Sequence, residues 1–201
     1  MSSWMEILEC PKPEEHVVQL YGSDSHLLAR NVSRYLADGL KQDDALLVIA
    51  TPEHNDAILQ HLEEEECDPA GARDRGQLIC LDARATLAQF MVDGQPDRKL
   101  FAGIVGRVLE QAREQARSGK IRAFGEMVAV LWTEGHAQAA TRLEECWNEL
   151  LKGNVFSLFC AYPIDIFVDD LPTETLGKVL GAHTHLLAGP QTLLSSARAA
   201  R

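Results

Sequence analysis

The sequence predicts an α/β fold, a three-layer sandwich with a mostly parallel sheet of about five or more strands between two layers of helices. Three observations predict it. Short apolar runs such as ALLVIA at 45–50 and VFSLFCA at 155–161 recur along the chain. Longer segments with apolar residues at helical spacing lie between them, and Gly, Pro, Asn and Asp separate the two kinds. Runs without polar alternation fit strands covered on both faces, and strands alternating with helices fit parallel pairing.

Residues 1–15 carry Pro11 and Pro13 and show no sustained period, so they are expected to form an arm, with Trp4, Met5, Ile7 and Leu8 in a short docking turn. A single domain then spans 16–187, and 188–201 form a tail, weakly specified from Leu186 onward. HVVQLYGSDSHLLAR at 16–30 reads as a strand, a polar turn and the start of a helix. Leu28, Val32, Tyr35, Leu36 and Leu40 share one face of that helix, which Gly39 and Lys41 fit to end. After the run at 45–50, Thr51 caps a helix with Pro52 at its first position and Glu53 complementing its dipole. That helix closes in an acidic run, Glu63 to Glu66, and a loop at 68–71.

Residues 77–81 form the next predicted strand, and Asp82 caps a short helix carrying Leu87, Phe90 and Met91. Gly94, Gln95 and Pro96 break the chain before Asp97 caps a longer helix striped by Phe101, Ile104, Val105, Val108, Leu109 and Ala112. Gly119 ends that helix, 121–124 is a strand, and Gly125-Glu126-Met127 leads to an apolar turn reaching Trp132. Ala139, Leu143, Cys146, Trp147 and Leu150 mark a helix closed by Gly153-Asn154. The strand at 155–161 follows, and a last helix is expected over 173–180.

The bulk properties narrow the function. The chain has 201 residues, 46% hydrophobic, and a net charge of −11. This acidic balance argues against nucleic-acid binding, which needs a basic surface. No stretch is long enough for a membrane span, and the first residues lack a signal-peptide pattern, so a cytoplasmic location without membrane contact is expected. Cys10, Cys67, Cys80, Cys146 and Cys160 are far apart and contain no CxxC pair, which fits buried reduced thiols.

The first strand and turn occupy the place of a phosphate loop, yet the chemistry differs. A P-loop needs paired glycines, a Lys for the phosphates and a Ser/Thr for magnesium. Gly22, Ser23, Asp24 and Ser25 supply one glycine and no Lys-Ser/Thr pair. Asp24, at a helix N-terminus, complements the dipole itself and would repel a phosphate. No GxSxG, HExxH or GxGxxG is present, so no catalytic residue, cofactor or metal is expected.

Sites in open parallel sheets form beyond the carboxyl ends of strands. Tyr21, Ser23, Asp24, Asp82, Glu126 and Tyr162 fall there and are candidates to line a ligand pocket, with Trp132 and His183. Each has a plainer reading. Asp24 and Asp82 suit helix caps, and Glu126 suits a carboxylate held by backbone N–H groups or by His16. Trp132 suits core packing, and the Tyr162 hydroxyl suits either a ligand or a buried neighbour. His183 and His185 form HxH, which can chelate a metal from a strand but has no evident third ligand in the sequence.

HVVQLYGSDSHLLARNVSRYLADGL, LLVIATPEH, LDARATLAQFMVDGQPD, IRAFGEMVAVLWTEGHAQAATRLEECWNEL and FSLFCAYPIDIF together resemble the MEDS domain, the methanogen/methylotroph DcmR sensory domain. The likeness covers about 16–187. It implies a fold similar to the RecA and KaiC-like ATPases with a degenerate P-loop. It further implies a sensory module, with small organic compounds as signals and a histidine kinase or transcription regulator as partner. It suggests Glu126, Tyr162 and the His183 region as family positions. No kinase, receiver or helix-turn-helix accompanies the domain in this sequence, so output is expected through a protein partner or a homo-oligomer. Two alternatives stand beside this expectation: a divergent RecA-like nucleotide hydrolase using Glu126, and a pure protein-interaction module.

Overall fold

The computed structural model describes residues 4–22, 25–163, 177–178 and 180–188. Its elements begin with α1 (Trp4–Glu9), β1 (His16–Tyr21), α2 (Ser25–Lys41), β2 (Ala45–Ala50), α3 (Pro52–Glu64), α4 (Pro69–Asp74) and β3 (Leu78–Asp82). They continue with α5 (Ala83–Leu87), β4 (Met91–Val92), β5 (Gln95–Pro96), α6 (Arg98–Gln115) and β6 (Ile121–Gly125). The last are α7 (Met127–Thr133), α8 (Ala137–Leu151), β7 (Phe156–Pro163) and β8 (His185–Ala188). Six strands form one sheet in the order β3-β2-β6-β7-β1-β8. Every pairing in it is parallel.

Side chains alternate between the faces of a strand. Leu47, Ile49, Ala123, Leu158, Cys160 and Tyr162 therefore join one core with α5, α6, α7 and α8. Leu46, Val48, Ala50, Phe124, Phe159 and Ala161 join the other with α1, α2, α3 and α4. The expected three-layer α/β sandwich is thus the observed fold, and burial on both faces explains the unbroken apolar runs.

Several details differ from the sequence prediction; Met91, expected with Phe90 on the short helix, lies on β4 beyond α5, and the apolar turn reaching Trp132 is the helix α7. The expected loop after α3 contains α4, started by Asp68, whose carboxylate accepts from the Gly71 N–H at 2.8 Å, with Pro69 at the first position. The expected break before α6 is a small antiparallel hairpin, β4–β5, turning through Asp93 and Gly94 with φ of 50° and 73°. Positive φ at both turn positions matches strand twist, and Gly bears it without strain. Gly39 lies inside α2, where an added Cβ would stand 2.8 Å from Leu46 Cδ2 and 2.9 Å from Arg122 Cδ. The missing side chain lets α2 rest on the sheet. Finally, β8 adds a strand beside β1 where a weakly specified tail was expected to begin. Of the helix expected over 173–180, residues 177, 178 and 180 are described and helical; the remainder lies outside the described residues.

The arm is fastened by a buried ion pair. Leu8 packs into the core beside α2. Arg122, on β6 and 3% exposed, donates from Nε to Asp44 Oδ2 at 2.8 Å, and Asp44 is 2% exposed. Its Nη1 donates to the carbonyls of Glu9 at 3.0 Å and Tyr35 at 2.8 Å. The end of α1, the interior of α2 and the residue before β2 thus converge on one guanidinium, whose planar fork suits several acceptors at once.

Candidate functional site

The geometry divides the predicted residues between two places. The first is the carboxyl end of β2 and β6. After β2 the chain turns outward to β3 through helices of one layer, and after β6 it turns the other way to β7 through helices of the opposite layer. Neighbouring strands whose connections diverge in this way leave a crevice between them, the usual ligand position in open α/β sheets.

Glu126, 4% exposed, stands in that crevice directly after β6, anchored by its N–H donating to the Ile49 carbonyl at 2.9 Å. Its Oε2 accepts the Thr51 N–H at 2.8 Å, and its Oε1 lies 2.6 Å from His54 Nδ1. Thr51 caps α3 as expected, and its hydroxyl accepts from the His54 N–H at 3.4 Å. His54 is the third residue of that helix, the position from which a side chain reaches back to the cap. Glu126 thus completes, from another strand, the job that a Glu in the third helical position does locally. The sequence prediction named His16 as a side-chain partner for Glu126; the partner is His54.

Tyr21 lies beside this pair, its ring edge-on to His54 with centroids 6.3 Å apart. Burial, aided by the Glu126 charge, pushes its phenol above its ordinary pKa, so it remains a hydroxyl. The hydrogen bond to Glu126 raises the His54 pKa, against an opposing effect of burial. His54 therefore stabilises the fold most when protonated: fully below about 6.5, its unfolded value, and less as pH rises through its raised folded value. His54→Gln should lower the urea midpoint below pH 6.5 by more than it does at higher pH. A wild-type-to-variant difference that stays level with pH would contradict this coupling.

Asp82 ends β3 and accepts from the Ala85 N–H at 2.6 Å, the expected cap of α5. Ser23 and Asp24 lie outside the described residues.

Trp132, Tyr162 and His183 meet at the second place, a buried cluster against α8. Tyr162 and Cys160 face α8 from β7, and His16 faces it from β1, two residues before Val18 on the same side. Glu144, 1% exposed, projects to meet them from the face of α8 that also carries Ala140, Leu143, Trp147 and Leu151. Tyr162 donates to Glu144 Oε1 at 2.6 Å, and Trp132 packs edge-on against the Tyr162 ring, centroids 5.6 Å apart. His183 Nε2 is 3.3 Å from Glu144 Oε1, while His16 Nε2 lies 3.5 Å from Oε2 and 3.2 Å from Cys160 Sγ. The two imidazoles stack obliquely, centroids 4.1 Å apart.

Hydrogen bonds around the cluster set its protons. Asn148 donates its amide N–H to the Ala182 carbonyl at 3.0 Å, which turns its oxygen toward His16 Nδ1 at 2.9 Å. That acceptor places the proton on Nδ1 and leaves the lone pair of Nε2 facing inward. Burial pulls the His16 pKa down to about 4, with the Glu144 charge opposing, so the ring is neutral at pH 7. Burial alone would raise the Glu144 pKa; His183, His16 and Tyr162 outweigh it and hold the carboxyl below its ordinary value. Burial, reinforced by that carboxylate, pushes the Cys160 thiol and the Tyr162 hydroxyl well up.

Tyr21 and Tyr162 are therefore not walls of one pocket: Tyr21 packs with the first helical layer and Tyr162 with the second. Glu144 is the central residue not singled out in the sequence. Its signal was available, because Ala140, Glu144, Trp147 and Leu151 share one helical face, and a carboxylate on an apolar stripe must find partners. His183 and His185 turn to different acids, Glu144 and Glu15, the latter at 3.3 Å.

Among the described residues no helix is long and apolar enough to cross a membrane. No curated protein matches the chain in sequence comparison. The family model of the MEDS domain, MEthanogen/methylotroph, DcmR Sensory domain, matches residues 15–184. With most of its length matched, the chain belongs to the MEDS family of sensory domains.

Proposed function

We propose that this chain is a sensory module that binds a small organic molecule at the carboxyl edge of its sheet and relays the event to a protein partner without catalysis. One observation carries the reading: the His54–Glu126 pair, flanked by Tyr21, stands in the crevice where the connections of β2 and β6 diverge. Asp82, at the end of β3, belongs to the same edge. A ligand with a hydroxyl or carbonyl could exchange hydrogen bonds with the imidazole and the phenol. The crevice joins the N-terminal ends of α3 and α7, which lie in opposite layers, so a ligand that moves them relative to one another alters both outer surfaces. A histidine kinase, a transcription regulator or a second copy of the chain would read that change.

Glu126 already spends both oxygens on Thr51 and His54, which disfavours its use as the water-polarising base of a nucleotide hydrolase. Native mass spectrometry of the purified protein is expected to show a retained small molecule that Tyr21→Ala releases, and ATP turnover is expected to be absent. Turnover that disappears in Glu126→Gln would select the hydrolase reading. A ligand-free spectrum, with no metabolite raising the melting temperature, would select the interaction module.

A further inference from the structure

The cluster against α8 has a chemistry of its own, separate from the crevice. Two imidazoles, a thiol and a carboxylate offer donor atoms that all lie within 4.8 Å of one another. Bonds of about 2.0–2.3 Å at tetrahedral angles place ligand atoms roughly 3.3–3.8 Å apart. The separations of 3.2 Å from His16 Nε2 to Cys160 Sγ and 3.5 Å from His16 Nε2 to Glu144 Oε2 are close to such edges, and His183 Nε2 approaches the same carboxylate, 3.3 Å from its other oxygen. An all-protein hydrogen-bonded knot explains part of the arrangement. Among the described residues it leaves Glu144 Oε2 buried without a hydrogen bond, although the carboxylate is 1% exposed and aimed at the cluster.

We propose that His16, Glu144, Cys160 and His183 form a binding site for one divalent transition-metal ion of the zinc class. A nitrogen, sulfur and oxygen donor set in a compact four-sided arrangement suits Zn2+, and disfavours Mg2+ or Ca2+, which take oxygen ligands in larger number. The outer hydrogen bonds match the same design. Asn148 fixes His16 with Nε2 directed inward, and Tyr162 steadies Glu144 through Oε1, as orienting groups around metal ligands do. On binding, the S–H bond of Cys160 breaks as the sulfur–metal bond forms, the proton leaves to solvent, and no electron changes hands. Three donors belong to β1, α8 and β7, whereas His183 sits in the turn before β8, next to Thr184, whose hydroxyl donates to the His16 carbonyl at 2.9 Å. A bound ion would therefore clasp the β8 segment to the body of the fold.

The test is titration of the reduced, chelator-treated full chain with Co2+, then with Zn2+. Expected are the visible absorption of tetrahedral cobalt, a thiolate-to-cobalt charge-transfer band, saturation at one ion per chain, and displacement by zinc. Cys160→Ser should abolish the charge-transfer band. His183→Gln, altered in a turn outside the packed strands, should keep native circular dichroism and weaken binding at least ~10-fold. A folded wild type that takes up neither ion would overturn the proposal. Uptake unchanged in both variants would overturn it equally, by locating the ion elsewhere.

Discussion

Asp44→Ala is expected to destabilise the fold by about 3–5 kcal/mol, because it leaves Arg122 charged and buried without its counterion. The lost interactions are the 2.8 Å bond to Arg122 Nε and the 2.6 Å bond from the Ser118 hydroxyl. At roughly 2–4 °C per kcal/mol for a domain near this size, calorimetry or a urea titration resolves the change easily. The double variant Asp44→Ala/Arg122→Met should be less destabilised than the sum of the singles, since removing both charges also removes the stranded one. Simple additivity would show that the pair is not coupled. Loss of the guanidinium should also free the arm, whose α1 carbonyl at Glu9 depends on it, so faster proteolysis at the N-terminus is a second readout of Arg122→Met.

Trp147→Ala should cost a similar ~3–5 kcal/mol, through lost apolar burial and the cavity left behind. Trp147 is fully buried, meets the Phe101 ring edge-on at 5.0 Å and the Phe156 ring at 6.4 Å, and lies over Gly125. An added Cβ on Gly125 would sit 3.4 Å from the indole, so the strand and helix already touch. The residue shares its face of α8 with Glu144, one turn earlier. The variant should therefore also loosen the Glu144 cluster, seen as faster alkylation of Cys160 than of Cys146 relative to wild type. Trp147→Phe, which keeps much of the volume, should recover most of the stability; failure to do so would point to the particular ring contacts with Phe101 and Phe156 instead of buried volume.

Periodicity made most elements legible, because burial is what periodicity records. The runs at 45–50 and 155–161 and the stripe from Phe101 to Ala112 became β2, β7 and α6. Caps were equally readable: Thr51-Pro52, Asp82 and Asp97 each start a helix through a side-chain oxygen. Asp68-Pro69 carries the same cap signal inside a stretch that reads as a loop; there the glycine N–H is the group that the cap satisfies. β8 was hidden by its length, since HLLA is too short to show any period. The strand order was hidden too, and with it the crevice between β2 and β6. His54 could not be linked to Glu126 across 72 positions, nor His16 to Glu144, without knowing which strands are neighbours. Tyr162 and Glu126, both read as strand-end residues, part company because the side chains of successive residues leave opposite faces, a distinction that holds only once the strand boundaries are known.

The place of β1 in the sheet has a consequence for how the chain is made. Among the described strands β1 is the first to be synthesised, and its sheet neighbours are β7 and β8, the last two. Until residue 163 has emerged, HVVQLY has no native edge to join, and its outer edge waits for 185–188. The half sheet of β3, β2 and β6 can assemble meanwhile, so completion of this fold waits for β7 and β8 to be made, with an apolar strand held in reserve.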